Sequence, residues 1–321
     1  MAVGGRGEPV ADVQRRLQKL DLPVSPDQLG TFADGTRAAV EAFQHRRGLR
    51  VDGMVGPQTW AALVEAGFHL GDRFIYLRSP MMRGDDVADI QRRLSALGFD
   101  SGRVDGIFGR QTSTALAEFQ RNTGLPVDAI VGATTLRELI RVTPRHGTLE
   151  LVATVRDRER MRHGPRTLLG RRVAVAEEGG LDTVVAALRR RLGAEGAVVI
   201  PVVHPDGSAQ AERANTADVE VFVGLRLDPG RARCQAAYYS GYRYESAGGR
   251  RLAELAHALV APALGVVSEG ARGMAVPVLR ETRMPAVVLE VGPAVGVAER
   301  APALASALVE ALAAWVATPV D

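Results

Sequence analysis

The feature that most constrains the fold of this chain is an internal repeat in its N-terminal half. Residues 6–20 (RGEPVADVQRRLQKL) match residues 83–97 (RGDDVADIQRRLSAL). Residues 39–63 match residues 115–139, and the two pairs are offset by 77 and 76 positions. Self-similarity at a nearly constant offset indicates one small structural unit that occurs twice.

Each copy has the residue spacing of amphipathic helices. In the first copy, Val10, Val13, Leu17 and Leu20 recur at helical intervals and form one apolar stripe. The second copy has the same stripe at the equivalent positions. The apolar spacing therefore predicts two all-α modules of three helices each, at residues 4–68 and 80–141.

Turns of the form Val-Asp-Gly connect the predicted helices and supply candidate ligand-binding residues. They occur at residues 51–56 and 104–109, and at residues 127–132 with Ala in place of the first Gly. An Asp side chain can accept hydrogen bonds from N–H groups two residues on, and Gly tolerates the positive φ of a turn. These residues either only close the turn or also contact a ligand, and the sequence leaves both interpretations open. The candidates in the second copy are Asp105, Gly106, Phe108 and Asp128.

The order of these elements resembles the peptidoglycan-binding-domain-1 family. The shared pattern is V-x-x-[IL]-Q-x-x-L, followed by A-[VL]-x-x-F-Q-x-x-x-G-L-x-V-D-x-x-V-G. The resemblance implies three-helix modules that bind peptidoglycan or its lipid-linked or nucleotide precursors. The first copy has Gln-Leu-Gly at residues 28–30 where the second has Val-Asp-Gly at residues 104–106. If one copy has lost ligand binding, we expect it to be the first.

The second half of the chain has the pattern of an α/β domain. Residues 142–170 contain no sustained periodicity, and we interpret them as a linker with a short helix near 155–162. After the linker, short apolar runs alternate with segments of helical spacing. This alternation predicts a mostly parallel or mixed sheet covered by helices, at residues 171–318. The strands are predicted at residues 172–176, 197–203, 219–227 and 286–291.

Several short motifs of this half resemble the zinc-dependent N-acetylmuramoyl-L-alanine amidases of the Amidase_3 type. They are Glu-Arg-Ala-Asn at residues 212–215, the run at 221–228, Arg272-Gly273, and the segment 285–292. The resemblance implies a zinc ion held by two His and one Glu, with a further Glu as general base. It assigns the general base to Glu290.

The ligand positions implied by this resemblance are not filled by metal-binding residues. The loop at 175–180 (VAEEGG) has no His, and Arg226 stands where the second His is expected. A guanidinium has no lone pair for zinc. We therefore expect no metal and regard Glu290 as a remnant that pairs with Arg226 or Arg280. The loop at 273–285, with Arg272 and Arg280, is the predicted binding surface of this domain.

Composition narrows the classes of partner. The net charge is +3 with 40 Lys and Arg, and no basic stripe with interleaved aromatic residues suggests nucleic-acid binding. No apolar run is long enough for a membrane span, and the start MAVGGRGEPV lacks the apolar region of a signal peptide. A single cysteine, Cys234, favours a reducing compartment. We expect a cytoplasmic protein, or one that is peripheral at the membrane.

Taken together, the repeats and the altered amidase domain resemble the actinobacterial CwlM-like proteins, most closely at residues 83–87 and 279–285. This resemblance implies a catalytically silent regulator of peptidoglycan synthesis. Its implied partners are a cell-wall enzyme such as the enolpyruvyl transferase and a Ser/Thr kinase, with Thr282 and Thr318 as exposed candidates for phosphorylation. The alternatives are a working amidase with unusual zinc ligands and a plain wall-binding protein.

Overall fold

The structure, a computed structural model, describes residues 1–143, 152–242 and 244–318. The chain divides into two compact units: the first comprises residues up to Val155 together with Tyr242 and Tyr244, and the second comprises the other described residues. Within the described ranges, no helix is both long and apolar enough to cross a membrane.

The first unit contains both repeats, and each repeat is a bundle of three helices. The first bundle comprises α1 (Glu8–Lys19), α2 (Asp34–Arg46) and α3 (Pro57–Glu65). The second comprises α4 (Asp85–Ala96), α5 (Arg110–Asn122) and α6 (Ala133–Val142). Each bundle has its own apolar core, built around Phe43 in the first and Phe119 in the second. The prediction of two three-helix modules is confirmed.

The two bundles are joined by an ion pair between Arg47, which follows α2, and Asp85, the first residue of α4. The guanidinium donates from Nη1 and Nη2 to the two carboxylate oxygens, both at 2.7 Å. The side chains are only 11% and 20% exposed. A bidentate pair with little exposure to water orients its partners more strictly than a surface ion pair.

The residues predicted as a linker contain a helix. This helix, α7 (Val152–His163), begins three residues before the short helix that the sequence predicts. Residues 144–151 of the predicted linker lie outside the described residues.

The second unit is built on one mixed sheet. Its six strands lie in the order β2-β1-β3-β6-β4-β5. Strands β2, β1, β3 and β6 are parallel, whereas β4 is antiparallel to β6 and parallel to β5. The elements in chain order are β1 (Arg172–Glu177), α8 (Asp182–Ala194), β2 (Val198–Val203), α9 (Gly207–Thr216), β3 (Val221–Leu227), β4 (Arg233–Tyr239), α10 (Ala247–Leu264), β5 (Val267–Met274), α11 (Pro277–Glu281), β6 (Ala286–Val291), α12 (Ala294–Glu299) and α13 (Ala301–Ala317).

Helices cover both faces of this sheet, as predicted. Residues of α8, α10 and α13 pack on one face, where Val223 and Leu289 of the central strands contribute to the main core. Helices α9 and α11 pack against each other and lie on the opposite side. The predicted α/β fold with a mixed sheet is confirmed.

Strands β4 and β5 are absent from the sequence prediction. Strand β4 reads RCQAAYY, and β5 reads VSEGARGM with two glycines. Strand β5 is not a continuous apolar run, because it is the edge strand and none of its residues is buried. Strand β4 is an inner strand, but Arg233 and Gln235 interrupt its apolar pattern. Part of the segment predicted as a binding loop, Gly273 and Met274, therefore belongs to a strand.

Candidate functional site

The site around Glu290 lies where the parallel strands end. Glu290 is the penultimate residue of β6, and its Cα pairs with that of Arg226 in β3. On its other side it pairs with Gln235 of β4. Ligand sites of open α/β sheets are typically found at this edge of the sheet. The antiparallel direction of β4 brings the first residue of that strand, Arg233, to the same edge.

Arg233 binds three carboxylates. Its Nη2 lies 2.8 Å from Oε1 of Glu290, its Nε lies 2.8 Å from Oδ2 of Asp228, and its Nη1 lies 2.7 Å from Oε2 of Glu269. The arginine side chain is 15% exposed and that of Glu290 is 17% exposed. The N–H of Gly230, together with this guanidinium, holds the pKa of Asp228 below its usual value. The general-base candidate is therefore part of an ion-pair network.

Arg226 has a different carboxylate partner. Its Nε lies 3.0 Å from Oε1 of Glu178, and its Nη2 contacts the same oxygen. The sequence predicts that Glu290 pairs with Arg226 or Arg280; in the structure Arg226 pairs with Glu178, and Glu290 accepts a hydrogen bond from Arg233. Strand β3, which carries Arg226, lies between β1 and β6. Arg226 pairs towards the β1 side, because Glu178 directly follows β1.

The loop at 175–180, where the resemblance places the first zinc ligand, is held by a hydrogen bond within the protein. Glu177, at the end of β1, is 1% exposed. Its Oε2 accepts a hydrogen bond of 2.8 Å from the N–H of Leu181, the residue before α8. This carboxylate therefore closes the short loop between β1 and α8.

The histidines and the cysteine of this unit do not compensate for the missing ligands. His204 Nδ1 accepts from the N–H of Asp206 at 3.0 Å, and His257 Nδ1 lies 2.9 Å from Oγ of Ser268. Cys234 is buried, and burial raises the pKa of its thiol to about 12, so the thiol is protonated at neutral pH.

The donor set at this edge does not fit a zinc ion. The part of the chain that the structure describes contains no group of three His, Cys, Asp or Glu side chains suited to a metal. Two guanidinium groups, those of Arg226 and Arg233, occupy the site and pair with its carboxylates. A permanent cation at a ligand position repels a divalent metal and offers it no lone pair.

In the repeats, the candidate Asp residues close turns. Oδ1 of Asp105 accepts from Nε2 of Gln91 at 2.9 Å and from the N–H of Ile107 at 2.8 Å. Oδ1 of Asp128 accepts from Nε2 of Gln120 at 2.8 Å and from a main-chain N–H two residues on. Both carboxylates therefore have a structural role, whether or not they also meet a ligand.

Two further candidates of the second repeat have structural explanations. Gly106 has a φ of +71°, in the left-handed region that glycine favours. Phe108 is fully buried in the core of this repeat. The placement of Phe108 among ligand-binding residues needs correction, because its ring has no surface to offer a ligand.

The motif glutamines have a structural function that is absent from the sequence prediction. Gln14, Gln44, Gln91 and Gln120 are at most 1% exposed. Each bonds to the main chain of a neighbouring turn; in the divergent first turn, Gln14 Oε1 accepts from the N–H of Gly30 at 2.7 Å. The signal was present, because a polar residue recurs within each apolar stripe. A buried amide at such a position must have partners.

The second repeat also has a pocket of about 550 Å³. It lies between the turn before α6 and the segment that precedes the repeat, and two aromatic side chains, Phe74 and Tyr76, form one wall. A second pocket, of about 370 Å³, belongs to the α/β unit. It is lined by residues that precede β3 and β6, including Asp218 and Arg283, and thus lies at the edge opposite Glu290.

Comparison with known proteins identifies the family. Residues 6–63 and 83–139 match the family model "Putative peptidoglycan binding domain". The N-acetylmuramoyl-L-alanine amidase CwlM of Mycobacterium tuberculosis is 34% identical over 284 residues, which cover 79% of this chain and 70% of that protein. The chain belongs to the CwlM family. The suspected resemblance to CwlM-like proteins with two peptidoglycan-binding repeats is confirmed.

Two other proteins match only part of the present chain, which we refer to below as this CwlM homologue. The N-acetylmuramoyl-L-alanine amidase CwlL of Bacillus licheniformis is 33% identical over 158 residues, which are 42% of this chain and 44% of CwlL. The crystal structure of an N-acetylmuramoyl-L-alanine amidase from Clostridium difficile 630 matches with a TM-score of 0.39 and 15% identity. That match covers 46% of this chain and 96% of the solved one.

In this CwlM homologue, the segment predicted as a binding loop is held in place by Asn215. Its Nδ2 donates to the carbonyl of Glu281 at 2.8 Å, and its Oδ1 accepts from the N–H of Arg283 at 2.9 Å. Arg272 lies on the edge strand β5, and Arg280 lies on α11. Thr282 is 1% exposed, so its expected exposure is wrong.

Proposed function

We propose that this protein is a catalytically inactive member of the CwlM family. It binds peptidoglycan or its precursors and regulates peptidoglycan synthesis through protein partners. The observation that carries the proposal is the pair of ion pairs, Arg226–Glu178 and Arg233–Glu290, at the positions that the resemblance assigns to a zinc ligand and the general base.

Amide hydrolysis by this family requires groups that are not available at this site. Zinc-dependent hydrolysis needs an open coordination position and a nearby base that activates the bound water. Here the ligand position carries a guanidinium, and the carboxylate at the base position accepts a hydrogen bond from a second guanidinium. Substituting one residue would not restore activity, because the loop at 175–180 also lacks a ligand His.

The partners and location are proposed on the resemblance. A cell-wall enzyme such as the enolpyruvyl transferase would be the regulated partner, and a Ser/Thr kinase would control the interaction. The protein would act in the cytoplasm, or at the membrane periphery. Thr282 is buried and donates its hydroxyl to the carbonyl of Leu279 at 3.2 Å, which makes Thr318 the better of the two phosphorylation candidates.

Metal analysis combined with an activity assay tests the inactivity. We expect the purified full chain to contain far less than one zinc per molecule and to release no stem peptide from purified cell walls. An active zinc amidase serves as the positive control. Stoichiometric zinc together with wall hydrolysis that Glu290→Gln abolishes would instead establish the alternative, a working amidase with unusual ligands.

Cosedimentation with insoluble peptidoglycan tests the binding function. We expect the full chain to sediment with the wall and a variant that lacks residues 1–141 to remain in solution. If the truncated protein sediments as well as the full chain, the repeats are not the binding element and the α/β unit holds the muropeptide.

A further inference from the structure

We infer that the pocket of the second repeat binds the sugar rings of the peptidoglycan glycan, and that Phe74 and Tyr76 are its stacking platform. The inference rests on the proposed peptidoglycan-binding function and specifies the ligand and the residues. Both aromatic residues lie outside the matched stretch 83–139. They belong to the segment between the repeats, so the family resemblance does not assign them a role.

A short β-bridge orients the two rings. The N–H of Val131 donates to the carbonyl of Ile75 at 2.8 Å, which fixes the segment before the repeat against the turn before α6. Side chains alternate along an extended segment. Ile75 is 1% exposed and enters the core, whereas Phe74 and Tyr76 are 67% and 41% exposed.

The rings form one wall of a pocket whose other walls come from the turn and the start of α6. The cavity of about 550 Å³ is in the size range of small-molecule sites. Gly132 allows the phenyl ring to approach the backbone, because a Cβ there would lie 3.3 Å from Cε1 of Phe74. The lining residues are Phe74, Tyr76, Pro126, Asp128, Ile130, Gly132, Ala133, Thr134 and Thr135.

The charges of the residues that line the pocket indicate the class of ligand that it binds. Among these residues only Asp128 carries a charge, and its Oδ1 is bonded to Gln120 and Ile130. The lining includes no Arg, Lys or His to pair with the carboxylates of a stem peptide or with a phosphate. Exposed aromatic faces beside neutral polar groups suit an uncharged ring with apolar C–H faces and hydroxyl or acetamido groups. An N-acetylated amino sugar has this chemistry.

The first repeat lacks the tyrosine of this platform. There Met1 makes the equivalent contact, since the N–H of Val55 donates to the carbonyl of Met1 at 2.8 Å. Ala2 therefore stands where the second repeat has Tyr76. A Cβ on Gly56, which is equivalent to Gly132, would meet no atom within 4 Å. The glycan site is thus assigned to the second repeat.

Calorimetric titration of the full chain with soluble β-1,4-linked N-acetylglucosamine oligomers tests the inference. We expect the oligomers to bind, and Phe74→Ala to weaken their binding about tenfold through the loss of one stacked ring. Tyr76→Ala should also weaken binding. Leu29→Ala is the matched control, because Leu29 is an apolar residue of the first repeat with 65% exposure. All three side chains are exposed, so the variants should melt at the wild-type temperature.

Two further measurements complete the test: calorimetric titration with a free stem peptide, and cosedimentation with insoluble cell wall. If the protein sediments with cell wall but both aromatic variants bind the oligomers and the wall as the wild type does, the inference is wrong and the proposed function stands. Binding of the free peptide that is lost in Phe74→Ala would also overturn the inference. If the oligomers bind through Phe74 but the cell wall does not, the inference holds and the proposed wall binding fails. Binding to neither ligand contradicts both.

Discussion

The Nη2 atom of Arg233 lies 2.8 Å from Oε1 of Glu290, and this contact connects the first residue of β4 to the end of β6. The same guanidinium binds Asp228 and Glu269. A residue outside the recognised amidase motifs thus pairs with the carboxylate that the family resemblance assigns to catalysis. The network stabilises the edge of the sheet where the parallel strands end, which is where open α/β folds usually bind their ligands.

Replacing Arg233 should destabilise the protein. Arg233→Met leaves three carboxylates close together without their shared cation, in surroundings that are mostly shielded from water. We expect the free energy of unfolding to fall by about 3 kcal/mol. Urea denaturation measures the change. The control is Arg250→Met, since Arg250 pairs with Glu245 and Glu254 at the surface; equal losses from both variants would contradict the assigned role of Arg233.

Replacing a motif glutamine should destabilise its repeat. Nε2 of Gln120 lies within 3.2 Å of acceptors on Asp128, Ile130 and Thr135, and its Oε1 accepts from two main-chain N–H groups. Gln120→Leu leaves these partly buried groups without this partner, at a cost of about 2–4 kcal/mol in the free energy of unfolding. Gln18→Leu, at an exposed position of α1, is the control and should unfold as the wild type does.

The stability of the second repeat should fall in acid through Asp128. The N–H of Ile130 and then the amide of Gln120 lower the pKa of this carboxyl below its ordinary value. A lowered folded-state pKa stabilises the protein above the unfolded pKa of about 3.9, and the contribution is lost as the pH falls through the folded value. Urea unfolding at neutral pH and near pH ~3 should show a smaller pH dependence for Asp128→Asn than for the wild type. An identical dependence would exclude this carboxyl as a contributor.

Two equivalent glycines offer a matched test of the glycan pocket. Gly132 and Gly56 both precede a helix with an extended backbone, so alanine is conformationally acceptable at either position. Gly132→Ala places a methyl group 3.3 Å from the ring of Phe74, which must shift. Binding of N-acetylglucosamine oligomers should weaken, though less than in Phe74→Ala. Gly56→Ala should bind as the wild type does, and an equal effect of both substitutions would argue against the placement of the site.

Much of the fold is predictable from local pattern. The repeat, the helical stripes with Val13 and Leu17, and the apolar strand that ends near Glu290 all follow from periodicity, because burial of one face imposes a regular spacing on the sequence. The absence of a ligand His in residues 175–180 is equally a property of the sequence. These features suffice to predict the fold class and to question the metal site.

Long-range neighbours were decided only by tertiary structure. Glu290 pairs with Arg233, 57 residues earlier, because β4 runs antiparallel beside β6, and no local pattern records that pairing. The burial of Phe108 and the meeting of Phe74 with Gly132 likewise depend on packing between separate segments. The sequence by itself determined the repeats, four of the six strands and the absence of a His in the loop at 175–180. The three-dimensional packing determined which charges neutralise one another and where an aromatic surface remains open to a ligand.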